Sequence, residues 1–278
     1  MMLQRIVYLY VSLLLSSYPG QCLMMSASAS STPAKKLVIV TGGSRGIGRA
    51  TCVWLASKGY QVAVNYNNGE EAAQEVVAEI ESAGGSAKAF QCDIGEETQV
   101  EEMFEDVMGH FGMPPTGLVA NAGIMEAMEK DIRKVSTETL ERDLKVNTMG
   151  TFFCTRAFVK HCSVNNEKGG QGGSIVVVSS VSAESALILA YGMSKAALEA
   201  MVNGLSKQLP LEGIRINTII PGLIDTGLAA PEIIETMKGF IPLRRAGDPT
   251  EVAQAIEFLL SDASSYCSGT KLKVSGGL

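Results

Sequence analysis

A single α/β domain is the fold class this sequence predicts: a doubly wound parallel sheet of about seven strands with helices on both faces. Three observations predict it. Short β-rich runs alternate with helix-like stretches, several of the runs are apolar on successive residues, and glycines stand where helices should stop. Alternating strands and helices imply parallel strands joined by crossover helices. Strands covered on both faces read as unbroken apolar runs rather than as in/out alternation.

In chain order, the first strand is Leu37–Thr41, with Leu37, Val38, Ile39 and Val40 all apolar. A glycine turn follows, then a helix over Arg49–Lys58 that stops at Gly59. Gln61–Tyr66 is the second strand, Glu70–Ser82 an amphipathic helix, and Gly84 its stop. Ala87–Gln91, helix Thr98–Phe111 and Gly117–Ala120 continue the pattern. The fifth strand is Ser174–Ser179, carrying the run Ile175-Val176-Val177-Val178. A long helical segment opens at Tyr191. Arg215–Ile220 and Thr270–Val274 complete the sheet. No repeat or linker interrupts residues 36–278, which read as one domain.

The 278 residues are 46% apolar and 19% charged, which places the chain among globular proteins. A net charge of −6 leaves no basic surplus for nucleic acid. Cys22, Cys52, Cys92, Cys154, Cys162 and Cys267 are scattered without a C-x-x-C pair, so reduced buried thiols are expected rather than a disulfide framework. His110 and His161 are the only histidines; His161-Cys162 has no second ligand cluster, so no metal is expected.

Residues 1–35 differ from the rest. Arg5, the apolar run Ile6–Leu15 and the small-residue stretches Ser16–Gly20 and Ser26–Ser31 resemble a signal or targeting leader. Alternatively, Met24 or Met25 is the true start. The apolar run is too short to span a bilayer. Either way the leader is expected outside the fold. Unpaired cysteines favour a reducing compartment, the cytoplasm or an organellar matrix.

The first strand runs into Thr41-Gly42-Gly43-Ser44-Arg45-Gly46-Ile47-Gly48. Glycines let the backbone bend sharply and approach a ligand. The following helix start offers free N–H groups and a positive dipole end to a pyrophosphate. Between a first strand and a helix, this turn predicts a Rossmann-type dinucleotide site. The same residues also match the G-x-S-x-G elbow of hydrolases. That reading fails because the needed late histidine is missing: the last one, His161, precedes the fifth strand.

An NAD site usually places an acid at the end of the second strand. Here stand Asn65-Tyr66-Asn67-Asn68, with no carboxylate before Glu70. Asparagines such as Asn65 can donate to a 2′-phosphate, and Arg45 can pair with one through its guanidinium fork. NADP(H) is therefore expected over NAD(H). Asp93 is positioned after the third strand to accept from the adenine amine, or to cap a turn.

Tyr191 and Lys195 stand four apart and share a helix face. They follow the fifth strand, whose end carries Ser179 and Ser180. Hydride arrival at a carbonyl carbon makes an alkoxide that must be protonated. A free phenol, with a pKa of about 10, is a poor acid for this at neutral pH. A lysine charge about 4 Å away contributes roughly 4 kcal/mol at an effective dielectric of about 20. That equals about 3 pKa units, enough to bring the phenol near 7.

Together these residues resemble the short-chain dehydrogenase/reductase family, from Lys36 to Gly277. The resemblance rests on Thr41–Gly48, Asn121-Ala122-Gly123, Asn147, Tyr191 with Lys195, and Pro221-Gly222-Leu223-Ile224-Asp225-Thr226. It implies an NADP(H)-dependent oxidoreductase acting on a carbonyl/secondary alcohol pair. Tyr191 would be the general acid/base. Lys195 would lower its pKa and bond the nicotinamide ribose. Ser180 would orient the carbonyl, and Asn147 would hold a water that links Lys195 to solvent. Cofactor contacts would come from Gly42, Ser44, Arg45, Gly46, Ile47 and Gly48; from Asn65, Asp93 and Ile94; from Asn121, Ala122 and Gly123; from Tyr191 and Lys195; and from Ile220, Pro221, Gly222, Ile224 and Thr226.

The family sets its serine further ahead of the tyrosine, so the loop Val181–Ala190 reads as shortened, and Ser179 or Ser182 could substitute for Ser180. Gly169–Gly173, Ile241–Arg245 and Ser275-Gly276-Gly277 resemble the branch of 3-oxoacyl-carrier-protein reductases and glucose 1-dehydrogenases. That branch implies a homotetramer, with one interface around Asn147–His161 and Ala190–Gln208 and a second near the last strand. Between Gly227 and Phe240, Leu228, Ile233, Ile234, Met237 and Phe240 suit a mobile apolar lid over a hydrophobic carbonyl, a ketone or a 3-oxoacyl group. A sugar or polyol dehydrogenase and a non-catalytic dinucleotide sensor are the alternatives.

Overall fold

The computed structural model describes residues 36–167, 169–185, 188–227 and 231–278, with only the backbone of Pro231 and Ile233. The leader 1–35 with Cys22, the residue Leu228 and the side chain of Ile233 lie outside the described residues.

Seven parallel strands form one sheet in the order β3-β2-β1-β4-β5-β6-β7. They are β1 (Leu37–Val40), β2 (Gln61–Tyr66), β3 (Ser86–Gln91), β4 (Gly117–Ala120), β5 (Gly173–Val178), β6 (Ile214–Pro221) and β7 (Lys271–Val274). The chain winds outward from β1 to β3, crosses back to β4 beside β1, and winds outward again. Strand order therefore reverses between β1 and β4, the place where such sheets bind ligands. Val40 lies level with Val119, and Ala120 with Val177. Thr41, Asn121 and the Ser179-Ser180 pair consequently emerge side by side at the carboxyl edge.

Helices α1 (Gly46–Ser57), α2 (Glu70–Ser82), α3 (Glu97–Phe111), α4 (Thr137–Asp143), α5 (Thr151–Cys162), α6 (Ser182–Ser185), α7 (Leu189–Leu205), α8 (Pro231–Lys238) and α9 (Pro249–Leu260) connect the strands. Successive strand residues serve opposite faces. Leu37, Ile39, Leu118 and Ile175 pack with Phe104 of α3, Phe158 of α5 and Leu198 of α7. Val38, Val40, Val119 and Val176 pack with Leu55 of α1, Ile80 of α2 and Ile256 of α9. All four residues of β1 are fully buried. This explains the unbroken apolar runs, each such side chain contributing about 1.5–3 kcal/mol.

Gly59 and Gly84 adopt left-handed φ values of 84° and 82°, which end α1 and α2. A capping box between Asp248 and Glu251, with Pro249 at the first turn, starts α9. Between α4 and α5 the helix widens into a π-helical turn, Leu144–Gly150, which the periodicity does not announce. Cys52, Cys92, Cys154 and Cys162 are buried free thiols, and burial pushes Cys92 and Cys162 up to about 12. Among the described residues no group of His, Cys, Asp and Glu is arranged to hold a metal, and no helix is long and apolar enough to cross a membrane.

Candidate active site

The glycine turn is locked to the neighbouring strand tip. Thr41 Oγ1 accepts from the N–H groups of Asn121 and Ala122, both at 3.0 Å. Asn121 Nδ2 donates back to the Thr41 carbonyl at 2.9 Å. A Cβ on Gly48 would stand 2.1 Å from the Gly42 carbonyl oxygen, so only glycine lets α1 approach the turn this closely. Gly42 and Gly46 hold φ of 62° and 53°. No side chain caps α1, so its first N–H groups stay open for an anion. Gly46 faces the methyl of Thr226, 3.2 Å from where a Cβ would stand. Ser44, Arg45, Gly46 and Thr226 line one surface pocket. The residues present thus fit a pyrophosphate.

Arg45 and Asn65 were both expected at a 2′-phosphate, and the structure separates them. Arg45 is exposed and lays its guanidinium over Gly69, with Nη2 at 3.0 Å from that glycine's Cβ position. This places the charge at the loop after β2, beside exposed Asn67 and Asn68. Asn65 is buried, and its amide is engaged inside the protein. Its Oδ1 accepts from Gly42 N at 3.1 Å, and its Nδ2 faces the carbonyls of Tyr66, Phe90 and Cys92. Asn65 therefore shapes the glycine turn, and the asparagines able to face a phosphate are its neighbours.

Asp93 accepts from Gly95 N at 2.9 Å, a turn-capping bond that leaves its second oxygen for a ligand. Ile94 and Ile224 send their side chains into the protein, Ile94 against Gly150 and Ile224 against Gly247, so their backbone groups are what can serve a cofactor, while Ile47 is half-buried against the core. Ile220 and Pro221 end β6 in the buried sheet. Gly222 passes so close to Ser275 that a Cβ would lie 2.8 Å from its Cα.

The second half of the site gathers at the tip of β5. The Ser180 hydroxyl stands near enough to the Tyr191 phenol to pull its pKa down. Ser179 is turned inward, donating toward the Lys195 carbonyl at 3.3 Å and Glu199 Oε1 at 3.2 Å. Ser182 opens α6, and its N–H donates to Ser180 Oγ at 3.1 Å. Of the three serines, Ser180 is thus the one that reaches the tyrosine. Gly123 lies where any Cβ would come within 3.1 Å of both Asn147 Oδ1 and Lys195 Nζ.

Two expectations about the pair change. Lys195 is almost fully buried and donates through Nζ to the Val178 carbonyl at 2.9 Å, with the ammonium 5.8 Å from the Tyr191 ring centre. The phenol stands above its ordinary pKa, because burial raises it more than the nearby Ser180 hydroxyl lowers it, and the charge of Asp143 raises it further. The lysine was expected to dominate, but its charge is directed at a carbonyl while burial acts on the whole ring. Lys195 itself is lowered to about 8 by burial, against an opposing pull from Asp143. The second change concerns Asn147, whose side chain is fully used within the protein. It accepts from Ile124 N at 2.7 Å and donates to the Ile124 carbonyl at 2.8 Å and Ser194 Oγ at 2.9 Å. A water held by Asn147 would have to use its backbone, in the π-helical turn.

The sequence reading missed Asp143. It is fully buried one helical turn before Asn147, and burial raises its carboxyl above the usual range. A carboxylate in the arginine-flanked segment Glu141-Arg142-Asp143 reads as a solvated helix face, and only the fold shows it inside.

A family model described as enoyl-(acyl carrier protein) reductase matches residues 42–278. The chain is 42% identical over 248 residues to the uncharacterized oxidoreductase YgfF of Escherichia coli (strain K12), a match covering 87% of this chain and 99% of the relative. It is 34% identical over 274 residues to the chloroplastic NADPH-dependent aldehyde reductase 2 of Arabidopsis thaliana, covering 91% and 99%. Among solved structures it is similar to the promiscuous reductase LugOII, which catalyses keto-reduction at C1 during lugdunomycin biosynthesis, with a TM-score of 0.80, 34% identity, and 87% and 97% of the two chains covered. The chain belongs to the short-chain dehydrogenase/reductase family of oxidoreductases.

Proposed function

We propose that this chain is an NADP(H)-dependent reductase of ketones or 3-oxoacyl-type carbonyls, with Tyr191 as the proton donor. The observation that carries the proposal is the Ser180 hydroxyl beside the Tyr191 phenol and buried Lys195, on the strand edge that also bears the uncapped start of α1. The nicotinamide supplies the hydride when bound; the protein's own part is to orient the carbonyl and deliver a proton. Ser180 donates to the carbonyl oxygen and steadies the charge that develops there. Tyr191 protonates that oxygen. Burial favours the neutral phenol, so the acid form is the resting one, which suits reduction. Lys195 lends positive charge to the phenolate left behind.

Gly42, Ser44, Gly46 and the N–H groups of α1 would hold the pyrophosphate, and Arg45 with Asn67 and Asn68 the 2′-phosphate. Asp93, Asn121, Ala122, Gly123 and Thr226 would line the remainder. The charge of Arg45 after β2 supports NADP(H) over NAD(H), as does the likeness to an NADPH-dependent reductase. Exposed Met125 and Met128 follow β4, and exposed Met237 and Phe240 lie in and after α8. Such flexible apolar side chains favour a hydrophobic carbonyl over a sugar. Exposed Met149, Phe152 and Met193 on the π-turn, α5 and α7 support self-association into a tetramer. Residues 36–278 would form the catalytic domain, acting in a reducing compartment apart from the leader.

The test is NADPH oxidation by the purified chain against a panel of apolar ketones, aldehydes and acyl thioesters, beside sugars and NADH. Turnover with apolar carbonyls and NADPH is expected. Binding of NADPH with no turnover on any carbonyl would favour a sensor, and faster sugar oxidation with NADP would favour the dehydrogenase.

A further inference from the structure

The acid/base reading leaves one buried charge unused. Asp143 has no exposed surface. Its Oδ1 accepts from Glu126 N at 3.1 Å, and its Oδ2 is buried without a hydrogen-bond partner among the described residues. A lone buried carboxylate is unfavourable unless an opposite charge compensates it. Lys195 poses the same problem with the opposite sign. It is 3% exposed, and its ammonium donates to an uncharged carbonyl. Among the described residues, the charge that acts on it is that of Asp143.

The surrounding charges are already matched. Glu126, on the loop after β4, pairs with Arg142 of α4 at 3.1 Å, and both of these charges also act on Asp143, Glu126 raising it and Arg142 lowering it. Glu199, one turn beyond Lys195 on α7, pairs with Lys271 of β7 at 2.5 Å. The charge of Asp143 also acts on the Tyr191 phenol. The geometry also brings the two buried charges to one place: Asn147, one turn from Asp143, and Lys195 Nζ flank the same spot above Gly123, while Asp143 and Asn147 anchor the same loop at Glu126 and Ile124.

We propose that Asp143 is the buried counter-charge that Lys195 and the Tyr191 phenol both face, a positioning residue that holds the ammonium charged and the phenol protonated. It touches neither substrate nor cofactor and acts through Lys195 and Tyr191. The inference rests on the acid/base reading of Tyr191 for its catalytic meaning. Its sign is fixed: the Asp143 charge raises both Lys195 and Tyr191, so removing it lowers both.

Asp143→Asn keeps the shape and the acceptor for Glu126 N–H. Tyrosinate absorbance is followed against pH in the full chain, with Tyr191→Phe and Asp143→Asn/Tyr191→Phe subtracting the other tyrosines. Tyr191 should titrate about one pH unit lower in Asp143→Asn, and Asp143→Leu should move it the same way. With NADPH and an apolar ketone, the alkaline limb of kcat/KM should shift to lower pH with it. A Tyr191 titration unmoved in both variants overturns the proposal, as does a uniform loss of activity with no shift of the limb. A shifted titration in a chain that turns over no carbonyl would leave the counter-charge standing and remove the enzyme reading. Turnover with an unshifted titration would do the reverse.

Discussion

On the β1 side of the site a ligand meets backbone; on the β5 side it meets side chains that are themselves buried. The glycine turn offers open N–H groups, held by Thr41, Asn121 and Asn65, with the exposed charge of Arg45 at its rim. The Tyr191 corner offers a half-buried phenol, a buried ammonium and a buried carboxylate, whose protonation depends on one another. The first half works by shape and the second by electrostatics. Their substitutions should therefore fail in different measurements, affinity on one side and turnover on the other.

Gly48→Ala should have the largest effect. Its methyl would meet the Gly42 carbonyl oxygen, a backbone atom that cannot move aside, at 2.1 Å. Dinucleotide affinity should fall by more than about 100-fold, with a lower Tm, since such overpacking commonly costs several kcal/mol. Equilibrium dialysis and thermal melts check this, and normal affinity would show that the turn relaxes freely. Ser180→Ala comes next. It removes the hydroxyl that pulls the phenol down and that would donate to the carbonyl, so kcat should fall about 10- to 100-fold with NADPH affinity intact. Because that hydroxyl lowers the phenol, Tyr191 should also titrate at higher pH in this variant. Arg45→Ala is the mildest. NADPH binding should weaken about 10-fold while NADH binding barely changes, and equal weakening of both would remove the phosphate contact.

The same contrast explains what was legible in the sequence. Backbone sites are written locally: Thr41–Gly48 announces a sharp turn before a helix, and the unbroken runs of β1 and β5 announce strands covered on both faces. All seven strands stand where the runs place them, to within about two residues. The Tyr191–Lys195 pair was legible from helix spacing, and Ser180 from its place at a strand end. Other features depend on long-range packing. Asn65 looked like a surface donor, yet β3 on one side and the turn on the other enclose it. Asp143 looked like part of a charged helix face, yet the loop after β4 folds over it. Whether Lys195 lowers or burial raises the phenol depends on where Nζ points, which no spacing encodes. The π-helical turn at Asn147 likewise arises from tertiary bonds to Ile124 and Ser194.

Tyr191→Phe tests the central claim most directly, because it deletes one hydroxyl and leaves the ring in place. With NADPH and an apolar ketone that the native chain reduces, kcat should drop by at least about 100-fold while NADPH affinity, read by its fluorescence, stays unchanged. Near-native turnover in that variant would contradict the account, since the proton would then come from somewhere other than the phenol beside Ser180.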